Sequence, residues 1–109
     1  MRAALHDRFG EPEAVLAAGE ADLPEPGRDE VRIRTVLAPI HNHDLWTVRG
    51  RYGYKPPLPA VGGSEALGII DAVGEGVDGL EKGQRVAAAS VHGTWAEAFI
   101  APARMVIPM

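Results

Sequence analysis

Apolar positions along this chain recur mostly with a period of two, in short runs separated by glycine and proline. Val31, Ile33, Thr35 and Leu37 alternate with Arg32, Arg34 and Val36. That pattern predicts a strand with one wet face. Arg2–His6 reads as a short first strand and residues 14–23 as a second extended region. The turn Leu23-Pro24-Glu25-Pro26-Gly27 follows, its two prolines biasing the residues before them away from helix. Further strands are predicted over residues 65–73, 86–90, 95–100 and 105–107. Gly68, inside the first of these, marks a bulge or a close backbone approach.

One segment breaks the alternation. Asn42 is predicted to cap a short helix over residues 43–49, with Asp44 in the first turn, where the helix dipole favours a carboxylate. Leu45 and Val48 share a face, and Gly50 ends the helix. Residues 51–64 form a Pro/Gly-rich loop, and loops of that length inside compact domains are often functional. The expected architecture is a mainly β, largely antiparallel domain with one or two short helices.

Composition narrows the function. A chain of 109 residues, 46% hydrophobic and 24% charged, fits one soluble globular domain. The net charge is −4 and the 11 basic residues are scattered, which argues against a nucleic-acid partner. No apolar run approaches about 18 residues and no basic-then-apolar leader is present, so no membrane partner and a cytoplasmic location are expected. Cysteine is absent, which excludes disulfides, a thiol nucleophile and a thiolate zinc site.

The hexapeptide Gly74-Glu75-Gly76-Val77-Asp78-Gly79 satisfies G-x-G-x-x-G. A dinucleotide site needs that sequence between a strand and a helix, because the phosphates rest on the helix N-terminus. Here Leu80-Glu81-Lys82-Gly83-Gln84-Arg85-Val86 runs straight into the next strand. That leaves no room for the roughly ten residues of a crossover helix. The glycines are expected to serve turns, and no cofactor-binding residue is identifiable.

Several motifs in series carry a resemblance: an Asp-Leu helix, Gly50-Arg51-Tyr52, Leu58-Pro59, Gly63-Ser64-Glu65, Gly68, Ala72-Val73-Gly74, Val77, Gly83-Gln84-Arg85-Val86 and Gly93-Thr94-Trp95-Ala96-Glu97. In this order they resemble the N-terminal catalytic domain of the medium-chain (zinc-type alcohol) dehydrogenase/reductases, a GroES-like, partly open β-barrel. By that alignment the zinc-binding Cys and His of the alcohol dehydrogenases correspond to His41 and Ser64, and only Glu65 remains. One imidazole beside a serine does not make the three-ligand set that catalytic zinc requires. The family's structural zinc lobe is missing too, and Gln84 stands where the family usually has Asp.

The segment from Arg51 to Glu65 is similar instead to the zinc-free quinone oxidoreductases and 2-enoyl thioester reductases. This resemblance implies NADPH-dependent reduction of quinones, enoyl thioesters or related enones. It also implies a small-molecule substrate, a following Rossmann domain that binds NADPH, and a homodimeric complete enzyme. Tyr52 maps onto the family's active-site tyrosine, with Tyr54 ranked below it. His41, Asn42, Ser64 and Glu65 are expected at the substrate cleft, Asn42 chiefly as a helix cap and Glu65 paired with an arginine or with backbone N–H groups. His41 and His43 would share a face on a strand but diverge on a helix beginning near Asn42; no metal site is expected. Trp46 and Trp95 read as core or interface aromatics and His92 as a surface residue, while His6 carries no signal.

Residues 1–109 are therefore expected to form the catalytic domain alone, neither binding NADPH tightly nor turning over. The alternatives are a free-standing GroES-like binding or assembly module and an alcohol dehydrogenase homologue that has lost zinc. The block from Tyr52 to Glu65 favours the oxidoreductase.

Overall fold

The computed structural model describes all 109 residues. In chain order it contains β1 (Arg2–His6), α1 (Pro12–Val15), β2 (Ala17–Glu20), β3 (Glu30–Leu37) and α2 (Asn42–Arg49). Then come β4 (Ala60–Val61), β5 (Glu65–Val73), β6 (Arg85–Ala89), β7 (Ala98–Pro102), a 3-10 turn (Ala103–Met105) and β8 (Val106–Pro108). The strands form a five-stranded sheet in the order β7-β3-β5-β6-β8 and a three-stranded sheet in the order β2-β1-β4. Every pairing is antiparallel. A bridge between Ala3 and Ala96 links the two sheets into a partly open barrel.

The period-two reading of β3 holds for its first half. Val31 and Ile33 are fully buried and meet Ile70, Val86, Phe99 and Ala101 in one core. Burial of a branched aliphatic side chain contributes about 1.5–3 kcal/mol, so this cluster is the main apolar anchor of the larger sheet. Val36, on the wet face, is 63% exposed as expected, but the pattern fails at Leu37, which is 62% exposed. β7 covers β3 only from Glu30 to Arg34, and the β3–β5 register shifts between Thr35 and Leu37. A register slip moves side chains to the other face, which removes Leu37 from the core side. Arg32 is drier than a wet face implies. Its Nε donates to Asp71 Oδ1 at 2.7 Å and its Nη1 to the Pro24 carbonyl at 3.1 Å, so it pins the proline turn to the sheet.

Other boundaries also move. The region expected to be extended from residue 14 begins instead with the helical turn Pro12–Val15, where Pro12 supplies the preset φ of a first helical position. The strand expected from Trp95 starts at Ala98, since the preceding residues serve the Ala3–Ala96 bridge. The last strand runs through Pro108, which an edge strand paired only to β6 tolerates. The long loop contains the two-residue strand β4, paired with Leu5 and His6.

The glycine hexapeptide turns a corner. No helix lies between β5 and β6. Gly74 donates its N–H to the Glu30 carbonyl at 2.8 Å, and a Cβ there would collide with the Gly27 carbonyl. Gly76 and Gly79 have φ of +85° and +81°. Gly68 makes the close approach that its position suggested, because an added Cβ would press on the Arg34 carbonyl and an Ile33 methyl.

These two kinds of glycine should respond differently to substitution. Gly68→Ala is expected to destabilise the fold by about 1–3 kcal/mol through overpacking against main chain. Gly79→Ala meets open space and should cost only about 1 kcal/mol, from its left-handed φ. Urea unfolding midpoints compare them, and a neutral Gly68→Ala would contradict the close approach.

Candidate functional site

Two segments meet at one end of the barrel: the start of α2 and the turn that leads into β5. The turn is held by three backbone hydrogen bonds. Trp95 N–H donates to Gly62 O at 2.9 Å, Gly93 N–H to Gly63 O at 3.0 Å and Val91 N–H to Ser64 O at 3.1 Å. The Trp95 indole lies so close over Gly62 and Gly63 that a Cβ on either would collide with it. Its Nε1–H reaches the Pro39 carbonyl at 3.1 Å, just before the helix. Trp95 thus packs between the two segments, while Trp46 is half exposed.

The helix begins one residue earlier than expected. His41, with an extended backbone, occupies the cap, and Asn42 is the exposed first helical residue. The cause is Asp44, whose Oδ2 accepts the His41 N–H at 2.9 Å. A carboxylate at the third helical position reaches back to the cap in this way in a capping box. Asp44 is 4% exposed, and its other oxygen accepts the Ser64 hydroxyl at 2.6 Å. Gly50 ends the helix at φ +76°.

The helix does begin at Asn42, yet His41 and His43 come together and do not diverge as expected. The extended cap residue and the second helical residue stack their rings with centroids 5.1 Å apart and planes 18° from parallel. His41 Nε2 lies 2.5 Å from Glu65 Oε2, so Glu65 pairs with an imidazole and not with an arginine. His43 Nε2 lies 2.9 Å from Ser64 Oγ. The His43 ring also stacks on Tyr52 at 5.6 Å, and Tyr52 leans on Trp46 at 6.4 Å. No three His, Cys, Asp or Glu side chains converge in a way that could hold a metal ion.

A cavity of about 80 Å³ opens against this cluster. Tyr52, His43 and Ser64 line it, with Tyr54, His92 and His6. His41 and Glu65 stand beside it, paired to each other, and Asn42 faces solvent. Sequence reasoning gave His6 and His92 no part in this. His6 is 2% exposed, and its Nδ1 donates to the Arg8 carbonyl at 3.0 Å. His92 stacks on Tyr54 with centroids 4.3 Å apart. Neither had a local signal, since the contacts join residues 38 positions apart or depend on how β1 meets the loop.

Residues 27–109 match the family model for the alcohol dehydrogenase GroES-like domain. The mitochondrial enoyl-acyl-carrier-protein reductase of Bos taurus is 38% identical over 96 residues, 87% of this chain and 26% of that protein. An alcohol dehydrogenase of Moraxella sp. is 37% identical over 92 residues, 84% of this chain and 26% of the other. Among solved structures, Escherichia coli quinone oxidoreductase complexed with NADPH superposes with a TM-score of 0.92 at 28% identity, covering 100% of this chain and 33% of that one. The chain thus spans about a quarter of the curated relatives it matches.

Asp44 joins the helix to the turn, so its loss should exceed that of a simple cap. Asp44→Ala is expected to cost about 2–3 kcal/mol, the sum of a lost cap and stranded buried partners. Asp44→Asn keeps an acceptor oxygen and should cost less than half as much. Urea denaturation of the three proteins measures the difference.

Proposed function

Because the chain belongs to the alcohol dehydrogenase GroES-like domain family, we propose that it forms the substrate-side domain of a zinc-independent, NADPH-dependent oxidoreductase reducing quinones, enoyl thioesters or related enones. The observation that carries this reading is the state of the donors around the cavity. His41 is committed to Glu65 and Ser64 to Asp44, whereas the Tyr52 hydroxyl joins none of the cluster's hydrogen bonds.

Reduction of an activated double bond leaves negative charge on the substrate oxygen. With no metal to polarise that oxygen, a preorganised neutral donor must hold it. Tyr52 has that chemistry, and its ring is steadied by His43 and Trp46. Ser64 and Glu65 hold the two imidazoles that flank the cleft, while Asn42 is exposed at the helix start. The hydride is supplied by NADPH bound outside this chain. Within it, the one glycine-rich hexapeptide lacks the helix N-terminus that would receive a pyrophosphate. The reading includes a Rossmann domain in the complete protein, a homodimer and a cytoplasmic location; no helix here is long and apolar enough to cross a membrane. The likeness to an alcohol dehydrogenase supports a second reading, alcohol or aldehyde chemistry without zinc, which the choice of substrate separates.

In the complete protein, Tyr52→Phe is expected to lower kcat for a quinone or enoyl thioester about a hundredfold, as loss of one oxyanion donor does elsewhere. Nicotinamide oxidation followed by absorbance reads it, and unchanged turnover would remove Tyr52 from the mechanism. Titration calorimetry of residues 1–109 with NADPH is expected to give no micromolar binding. Such binding would mean that the chain holds a cofactor site of its own.

A further inference from the structure

Ser64 has one hydroxyl proton and two neighbours within hydrogen-bond reach. Its Oγ lies 2.6 Å from Asp44 Oδ1 and 2.9 Å from His43 Nε2. A buried carboxylate can only accept, so the Ser64 proton goes to Asp44. Ser64 must then accept from His43, and Nε2 carries a hydrogen. In the neutral ring the lone pair is left on Nδ1, and in the imidazolium Nδ1 bears the second proton.

The ring has little freedom to exchange these roles by flipping. It stacks on both His41 and Tyr52, with centroids at 5.1 Å and 5.6 Å. Its Nε2 edge is tied to Ser64, which is itself tied to a carboxylate 4% exposed. The His43 side chain is 40% exposed and borders the same cavity as Tyr52, so it has access to both water and substrate. Asp44 Oδ1 lies 3.5 Å from Nε2, while the facing His41 has Glu65 as its own partner.

We propose that Asp44, Ser64 and His43 form a relay that holds His43 in the Nε2–H tautomer and leaves Nδ1 as the nitrogen through which a proton enters the cleft beside Tyr52. Asp44 and Ser64 are positioning residues, and His43 carries the proton. This inference rests on the reading of the cleft as a reducing site. There the two electrons arrive with the hydride of a reduced nicotinamide and leave an oxyanion on the substrate. The Nδ1–H bond of the imidazolium breaks with its electron pair staying on nitrogen, and an O–H bond forms on the oxyanion. Water then returns a proton to the neutral ring.

Two measurements on the complete protein test the relay. The first is the tautomer, read from the ring nitrogen chemical shifts of His43 in protein labelled with nitrogen-15 histidine. Nε2–H is expected in the wild type and a mixture of tautomers in Ser64→Ala. The second is kinetic. Ser64→Ala is expected to lower kcat about tenfold or more with KM changed less than about threefold, within the range that positioned acid–base groups contribute. Ser64→Thr, which keeps the hydroxyl, should restore most of that loss, and His43→Gln combined with Ser64→Ala should be no slower than His43→Gln alone. A wild-type Nδ1–H tautomer, an unchanged kcat in Ser64→Ala, or additive losses in the double variant would each overturn the relay. If the wild type reduces no quinone or enoyl thioester, the functional reading falls and the tautomer alone decides the relay.

Discussion

One buried carboxylate organises the functional end of this domain. Asp44 is nearly inaccessible, and a charge in that setting persists only with partners that offset its lost hydration. It has the His41 N–H on one oxygen and the Ser64 hydroxyl on the other. The first contact sets where α2 begins, and the second ties that beginning to the turn before β5. Around this junction the rings of His41, His43 and Tyr52 stack in series.

The same end depends on residues that have no side chain. Gly62 and Gly63 let the Trp95 indole lie directly on the backbone, and through Trp95 the turn reaches Pro39. Gly68 and Gly74 play the matching part in the larger sheet, where β5 passes against carbonyls of β3 and of the turn before it. Close packing of this kind is stiff, since a single methyl group would have to displace main chain or an aromatic ring. A stiff platform suits a site whose chemistry depends on fixed hydrogen-bond directions.

Much of this was legible in the residues. The strand over Glu65–Val73 was read with its bounds intact, because an apolar run between turn signals needs no distant information. The glycine hexapeptide was also legible, since chain length alone leaves no room for a helix before β6. Less so were the ends of elements. Pro12 opens a helical turn inside a region that reads as extended, and Leu37 leaves the core because its partner strand stops short. Tyr52 and Ser64 do line the cavity, whereas Glu65 pairs with His41 and Asn42 yields the cap to its neighbour.

The sequence by itself determined the mainly β architecture, the short helix, the turn role of the glycines and the membership of a family, all of which depend on local spacing and order. Only the tertiary structure decided the stacking of His41 on His43, the meeting of Tyr54 with His92, the burial of His6 and the bond from Ser64 to Asp44. The physical reason is range. Periodicity and turn chemistry act over a few residues, but these contacts join separate segments through backbone register and glycine clearance, and no local pattern encodes which polar group will satisfy a carboxylate 20 residues away.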